Sequence, residues 1–383
     1  MLNRRSFVAL GASAVVTSAF GARMALAKAV TERRFVFIIQ RGAADGLGTL
    51  APVGDPAFAG QRGLLAQDFA AAPRLDSLFA LHPAMTHLHG LYQAKQALFV
   101  HAVASPYRER SHFDGQNVLE TGGSSAYALK DGWLNRLLSL LPADDRAIAL
   151  AATIPMALRG AAEVASYAPS ALPDASDDLL ARVSAMYRDD PQLHAIWEQA
   201  TATRMLTGDL AAENGRNAAA TGALAASSFA AEGGARIAMI ETGGWDTHAQ
   251  QRGRLTGQLK GLDAMVGAIR DGLGPLWADT LLVVATEFGR TVKVNGTQGT
   301  DHGTGALAML MGGAVNGGRV VADWPGLSDA ALYEGRDLRP TTGLDTLLNS
   351  AIASHFDLAP SRTAQKLFPD MKSAGMMKDL VRA

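Results

Sequence analysis

The sequence lacks cysteine, so neither a disulfide nor a thiolate contributes to this protein. It also lacks internal repeats and, after its first residues, any apolar run long enough to cross a bilayer, so no stable membrane insertion is expected. Its 35 Lys and Arg residues nearly balance its 36 Asp and Glu residues, which does not favour nucleic acid as a partner. Any metal site must therefore be built from His, Asp, Glu and hydroxyl groups.

The first 27 residues have the pattern of an export signal. Arg4 and Arg5 precede an uncharged, modestly apolar run that ends at Phe20, and Ala25-Leu-Ala27 provides a small-x-small cleavage site. The paired arginines indicate a twin-arginine (Tat) signal, which the Tat translocase would bind during export. An unprocessed amphipathic helix is the alternative interpretation. We expect a mature chain that begins near Lys28 and is periplasmic or secreted.

Short apolar segments alternate with helical patterns in the rest of the chain. Arg34–Gln40 and Asp279–Thr286 have the clearest strand patterns, and such continuous apolar runs are typical of buried parallel strands. The alternation predicts an α/β fold with a mostly parallel sheet flanked by helices. Helix formers and alanine runs dominate residues 161–232, which predicts a helical insertion or cap on a domain that spans residues 28–383.

Polar pairs lie at the ends of the strand-like runs and are candidate site residues: Asp246 with His248, Glu287 with Arg290, and Asp301 with His302. Asp246 and His248 are two residues apart, so extended backbone directs both side chains to the same side, as binding of one divalent metal requires. Because ligands of open parallel sheets bind at the carboxyl ends of the strands, we expect a single site at one edge of the sheet.

Asp45 is a further candidate metal ligand, because it lies in the turn that follows the first predicted strand. The alternative is an ordinary turn residue, since Asp45 directly precedes Gly46.

Ser111 and His112 occupy the start of a predicted helix. Ser111 and Asp114 are three residues apart, which is close to the spacing of a capping box, so Ser111 is a candidate helix N-cap. It is equally a candidate nucleophile, because the N-terminus of a helix favours an anion. His112 is a candidate for binding an anionic substrate at the same helix end.

The chain resembles domain-of-unknown-function family 1501 (DUF1501) over nearly the whole mature sequence. The resemblance rests on six motifs in order: Arg41-Gly-Ala-Ala-Asp-Gly46, Arg110-Ser-His-Phe-Asp114, Gly243-Gly-Trp-Asp-Thr-His248, Thr286-Glu-Phe-Gly-Arg-Thr291, Asp301-His-Gly-Thr-Gly305 and Asp323-Trp-Pro-Gly-Leu327. Twin-arginine signals are common in this family. The family is similar to the alkaline phosphatase and sulfatase superfamily, which implies an alkaline-phosphatase-like core with, commonly, two metals at the strand ends.

The resemblance implies roles for individual residues. Asp45 resembles the metal-binding aspartate of the first strand, and Ser111 occupies the nucleophile's place in the chain order. Asp246, His248 and His302 resemble the ligands of one metal.

The chain departs from the superfamily at Glu287-Phe288, where many relatives have Asp-His. Phe288 removes an expected imidazole, which puts the second metal site in doubt. Asp301 and His112 are the residues available to compensate.

The resemblance implies a metal-dependent hydrolase of phosphate or sulfate esters that acts on a small anionic ester. One or two divalent ions, zinc or manganese, would activate Ser111, and Arg290 would stabilise negative charge in the transition state. The alternative is a non-catalytic exported protein on a degenerate alkaline-phosphatase-like fold, which binds a protein partner or serves assembly.

Overall fold

A computed structural model describes residues 32–142, 146–151, 153–167, 218–231, 233–371 and 375–382, together with parts of 183–197. The predicted export signal, residues 1–27, lies outside the described residues, as does most of the predicted insertion. Residues Arg33–Ala383 form one compact unit.

The described residues form a nine-stranded sheet with helices on both faces, and this confirms the predicted α/β class with its mostly parallel sheet. The strands of this sheet are β1 (Arg34–Gln40), β4 (Ala97–Ala104), β5 (Ala147–Leu150), β6 (Ala165–Ser166), β7 (Ile237–Thr242), β8 (Thr280–Ala285), β9 (Ala306–Met311), β10 (Arg319–Val321) and β11 (Thr342–Gly343). A separate antiparallel pair consists of β2 (Leu50–Ala51) and β3 (Ala80–Leu81).

The helices of the described residues are α1 (Gly46–Thr49), α2 (Phe58–Arg62), α3 (Thr86–Gln93), α4 (His112–Thr121), α5 (Trp133–Leu138), α6 (Ala218–Ala230), α7 (Gln251–Leu273), α8 (Leu344–Phe356) and α9 (Pro360–Leu367). Short 3₁₀ segments occupy Gly63–Phe69, Met156–Leu158 and Gly274–Asp279. No helix in this described part of the chain combines the length and apolar character needed to cross a bilayer.

Both faces of the sheet are buried, which explains the continuous apolar runs of its strands. Along β1, Phe35 and Phe37 point to the face covered by α5 and α8, whereas Val36 and Ile38 point to the face covered by α3, α6 and α7. The ring of Trp133 packs edge-on against Phe37, with 5.1 Å between ring centroids.

The direction of β9 decides which segments meet at the edge of the sheet where β1, β4, β7 and β8 end. The strand order is β10-β4-β9-β8-β1-β7-β5-β6, and β11 pairs with β4. β1 is parallel to β7 and β8, whereas β9 is antiparallel to β4 and β8. The residues that precede β9 therefore lie at the same edge as the residues that follow β1, β4, β7 and β8.

The described segments at the two ends of residues 161–232, where the sequence predicts a helical insertion, belong to the core. β6 pairs with β5 at the end of the sheet. α6 buries Leu224 and Phe229 in the same hydrophobic cluster as α7. Alanine-rich helical periodicity does not distinguish a core helix from a cap, since each presents one apolar face.

Replacement of Gly289 by alanine should destabilise the fold by roughly 1–3 kcal/mol, because an added Cβ would lie 1.8 Å from the carbonyl oxygen of Gly305. Gly289 also joins the segment before β9 through hydrogen bonds to Thr304 and Gly303. The free energy of unfolding in urea measures the effect. Gly296→Ala is the matched control, since its Cβ would meet nothing within 4 Å; equal stability of the two variants would contradict the prediction.

The buried histidines His101 and His355 should make the protein sensitive to mild acid. Burial lowers the pKa of each to about 4, and each donates through Nε2 to a backbone carbonyl oxygen, of Leu50 and Arg34 respectively. Because the unfolded chain binds these protons near pH 6.5, stability is lost as the pH falls from about 6.5 towards 4. Each histidine should lower the free energy of unfolding by about 2 kcal/mol when the pH falls from 7 to 5.

Urea unfolding at pH 7 and pH 5 checks this prediction. His355→Gln keeps a side-chain donor for the Arg34 carbonyl but cannot be protonated, so this variant should lose about 2 kcal/mol less than the wild type over the same interval. An unchanged pH dependence in the variant would show that His355 does not contribute.

Candidate metal centre

Four side chains from three segments converge at the edge of the sheet. The segment after β7 contributes Asp246 and His248, the segment before β9 contributes His302, and the first residue of α4 contributes His112. His112, Asp246 and His302 each place a possible ligand atom within 4.8 Å of the others. His248 adjoins this group, and the four residues are called the donor cluster below.

The spacing of the donor cluster fits the coordination shell of a metal. Asp246 oxygens lie 3.5 Å from His112 Nε2, 2.9 Å from His248 Nε2 and 3.4 Å from His302 Nε2. The Nε2 atoms of His248 and His302 are 3.0 Å apart. In a tetrahedral shell with metal–ligand bonds of 2.0–2.1 Å, neighbouring donors lie about 3.3 Å apart.

Each imidazole of the cluster is oriented through its other nitrogen. Nδ1 of His112 lies 2.8 Å from Glu287 Oε1, Nδ1 of His248 lies 3.0 Å from Asp301 Oδ1, and Nδ1 of His302 lies 2.9 Å from the carbonyl oxygen of Arg110. A carbonyl or carboxylate oxygen can only accept, so each Nδ1 carries the proton. In the neutral rings each Nε2 therefore presents a lone pair, as a metal-ligating histidine does.

Among the described residues, His112 Nε2 is buried and has no hydrogen-bond partner. The Nε2 atoms of His248 and His302 face each other, and when both rings are neutral and protonated at Nδ1 their lone pairs repel. A shared proton or a bound metal cation between the two nitrogens would relieve that repulsion. The residues present thus fit a divalent metal ion.

Neighbouring groups shift the pKa values of His112, His302 and Asp246 in different directions. The hydrogen bond to Glu287 raises the pKa of His112, whereas burial and the nearby His112 lower the pKa of His302. Burial acts to raise the pKa of Asp246, but the hydrogen bond and charge of Arg290 bring it below its ordinary value. The carboxylate is therefore ionised at neutral pH, as metal binding requires.

Glu287 and Asp301, expected as ligands, instead lie behind the histidines. Glu287 is fully buried, and its Oε1 accepts hydrogen bonds from His112 and the backbone N–H of Gly42, while its Oε2 accepts from Thr286. Asp301 Oδ1 accepts from His248. Each carboxylate thus accepts a hydrogen bond from an imidazole Nδ1, the contact that commonly orients a metal-ligating histidine.

Arg290 also differs from the expectation that it stabilises charge on the substrate. Its side chain is fully buried and donates from Nη1 to Asp246 Oδ1 at 2.6 Å and from Nε to Thr300 Oγ1 at 3.2 Å. The guanidinium therefore fixes Asp246 within the cluster, and it does not face solvent where a substrate would enter.

Asp45, expected as a metal ligand, has both carboxylate oxygens occupied. Oδ1 accepts from the Gly48 backbone N–H at 3.1 Å, which caps α1, and Oδ2 accepts from Arg62 and Gln251. The Arg62 side chain is fully buried with it. A guanidinium thus supplies the positive charge beside Asp45 that a second metal would supply.

Ser111 and His112 lie together at the N-terminus of α4. Ser111 is the N-cap residue, yet its hydroxyl makes no capping hydrogen bond, and its backbone N–H donates to the Tyr107 hydroxyl. The Ser111 hydroxyl therefore does not cap α4. His112, predicted to bind an anionic substrate or to compensate for a missing ligand, lies in the donor cluster, and its ring stacks on Phe288 with 5.1 Å between centroids.

Three supporting contacts were not predicted. Gln116 donates to Glu287 Oε1 at 3.2 Å, Asn295 donates to Asp301 Oδ1 at 3.0 Å, and the Arg110 carbonyl holds His302. Gln116 follows His112 by one helical turn, so helix periodicity could have indicated it. Neither of the other two contacts has a local sequence signal.

Comparison with protein families matches residues 32–363 to a family described as protein of unknown function, DUF1501. The C-terminal periplasmic domain of EcEptC from Escherichia coli, in complex with Zn, is similar with a TM-score of 0.35 and 10% identity, over 74% of this chain and 73% of that chain. Phosphonate monoester hydrolase of Agrobacterium radiobacter is similar with a TM-score of 0.33 and 10% identity, over 76% and 70% respectively. The comparison with curated proteins gives no match.

Removal of one cluster histidine should weaken metal binding. His302→Ala should bind zinc or manganese at least about tenfold more weakly than the wild type, because loss of an outer-sphere partner alone costs this much. Isothermal titration of the chelator-treated protein measures the affinity. His89→Ala, on α3 and outside the cluster, is the matched control; equal affinities in the two variants would exclude His302 as a ligand.

Proposed function

The chain is a member of the DUF1501 family, and on this premise we propose that it is a metal-dependent hydrolase of phosphate or sulfate esters. The observation that carries the proposal is the convergence of three imidazole Nε2 atoms on the carboxylate of Asp246. The side chains of the donor cluster are between 23% and 43% exposed, so a small anionic ester has access to them. The resemblance to the alkaline phosphatase and sulfatase superfamily supplies the reaction class.

We propose a single ion, zinc or manganese, held by His112, Asp246, His248 and His302. Imidazole with carboxylate ligands suits both metals. A bound divalent ion would supply a Lewis acid that polarises the ester and favours an ionised nucleophile. Among the residues that the structure describes, a second ion has no comparable donor set, because Asp45 is paired with Arg62, Glu287 is occupied, and Phe288 replaces the imidazole that the resemblance implies.

The protein's own residues would position the nucleophile and neutralise the ester. Ser111 presents an uncommitted hydroxyl directly before His112, so the two groups share one rigid helix end. The first N–H groups of α4 lack partners within the helix and favour an anion at this position. Glu287 and Arg290 hold His112 and Asp246 in place, and electrostatic catalysis depends on such preorganisation.

The second candidate function is a non-catalytic binding or assembly role with a structural metal. The number of donors favours it, because four protein ligands fill a tetrahedral shell, whereas catalytic zinc sites keep one position open. In this case the edge of the sheet would serve a protein partner. Turnover separates the two functions, since metal content is the same in both.

We further propose that the protein works in the periplasm or outside the cell after export by the Tat translocase. The twin-arginine pattern before Phe7 supports this location. The pathway accepts folded cargo, so a metal could be bound before export.

Ser111→Ala should lower hydrolysis of p-nitrophenyl phosphate or p-nitrophenyl sulfate by at least about a hundredfold, because the nucleophile is lost. The zinc- or manganese-loaded proteins are compared by release of p-nitrophenol, and metal content should be unchanged. Ser125→Ala, an exposed serine after α4, is the control. Wild-type turnover in Ser111→Ala would remove Ser111 from the mechanism. A loaded wild type without activity on either ester would favour the structural role.

A further inference from the structure

A fully buried glutamine, Gln251, joins the two segments that provide most of the donor cluster. It is the first residue of α7 and its side chain has no solvent exposure. Its Oε1 accepts hydrogen bonds from the hydroxyls of Thr247 at 3.0 Å and Thr300 at 2.6 Å. Thr247 lies between Asp246 and His248 in the sequence, and Thr300 lies two residues before His302. One amide oxygen therefore links, through two threonine hydroxyls, the segment that contains Asp246 and His248 to the segment that contains His302.

The hydrogen bond between Gln251 and Thr300 continues, through side chains alone, to Asp246 of the donor cluster. Thr300 Oγ1 donates to Gln251 and accepts from Arg290 Nε, and Arg290 Nη1 donates to Asp246 Oδ1. The backbone N–H of Thr300 also donates to the carbonyl of Thr247 at 3.2 Å. A chain of hydrogen bonds through the side chains of Thr300 and Arg290 thus connects Gln251 to Asp246.

Asp45 fixes the orientation of the Gln251 amide. The Oδ2 of Asp45 accepts from Gln251 Nε2, and a carboxylate cannot donate in return, so the amide cannot be reversed. Oε1 must then face the two threonine hydroxyls, which turns their protons towards it and leaves a Thr300 lone pair for Arg290. Arg62 pairs with Asp45 in this buried setting, so the charge of the carboxylate is compensated where the Gln251 amide meets it.

We propose that Gln251 is a positioning residue of the metal centre, and that the buried pair of Asp45 and Arg62 acts through it. The inference rests on the proposed metal site and is independent of ester hydrolysis. Gln251 holds the segments that contain Thr247 and Thr300 at the separation that brings Asp246, His248 and His302 together. Without it, the two threonine hydroxyls and Asp45 Oδ2 each lose a buried partner, and the two segments are held by fewer hydrogen bonds.

The test compares two buried amides that bridge separate segments. Gln251→Ala should weaken zinc binding about 10- to 100-fold, the range typical of outer-sphere partners. The control is Asn135→Ala, because the Asn135 side chain donates to Leu158 and Ala162 backbone oxygens in the core, outside the cluster. Both variants should be less stable in urea, but Asn135→Ala should retain the wild-type zinc affinity measured by chelator competition.

A second variant keeps the test decisive if Gln251→Ala does not fold. Thr247→Val retains the side-chain shape and removes one hydroxyl donor, and zinc binding should weaken several-fold, whereas a purely structural contact would lower stability alone. Wild-type zinc affinity in the folded Gln251→Ala or Thr247→Val protein would overturn the inference, as would absence of zinc and manganese binding by the wild type. Selective loss of affinity in a protein that hydrolyses no ester would support the inference and refute the hydrolase proposal.

Discussion

The hydrogen bonds to three imidazole Nδ1 atoms are the interactions on which the candidate site depends. Each acceptor, a carboxylate or a carbonyl, can only accept, so the proton of each ring is drawn to the outside of the cluster. The inner nitrogens are left as lone pairs around an ionised Asp246. A divalent cation bound among these atoms would accept the lone pairs and offset the charge of Asp246.

Sheet topology explains why residues far apart in the sequence reach one point. His302 precedes an antiparallel strand, while Asp246 follows a parallel one, and opposite strand directions bring a strand start and a strand end to the same edge. Gly289 and Gly303 allow the connecting segments to cross closely. The crossing is fixed by two backbone hydrogen bonds, from Gly303 N–H to the Gly289 carbonyl and from Gly289 N–H to the Thr304 carbonyl. Gln251 then sets the separation of the segments that contain Thr247 and Thr300 through its buried side chain.

The sequence predicted the strands and the convergence of Asp246, His248 and His302, because apolar periodicity and two-residue spacing are local signals. It did not predict the partners of the carboxylates. Asp45 was expected to bind a metal, yet it pairs with Arg62 on α2 and with Gln251 on α7. A carboxylate at a strand end has the same sequence pattern whether a guanidinium or a metal neutralises it, and tertiary contacts decide between them.

The distribution of charge favours one metal over two. A second ion beside Asp45 and Glu287 would need donors that are ionised and unoccupied, but Arg62 already neutralises Asp45, and Glu287 is committed to His112. Phe288 stacks on the ring of His112, so an apolar side chain packs against this donor while Glu287 orients it. An active site with these residues would rely on one ion, Ser111 and the N-terminus of α4.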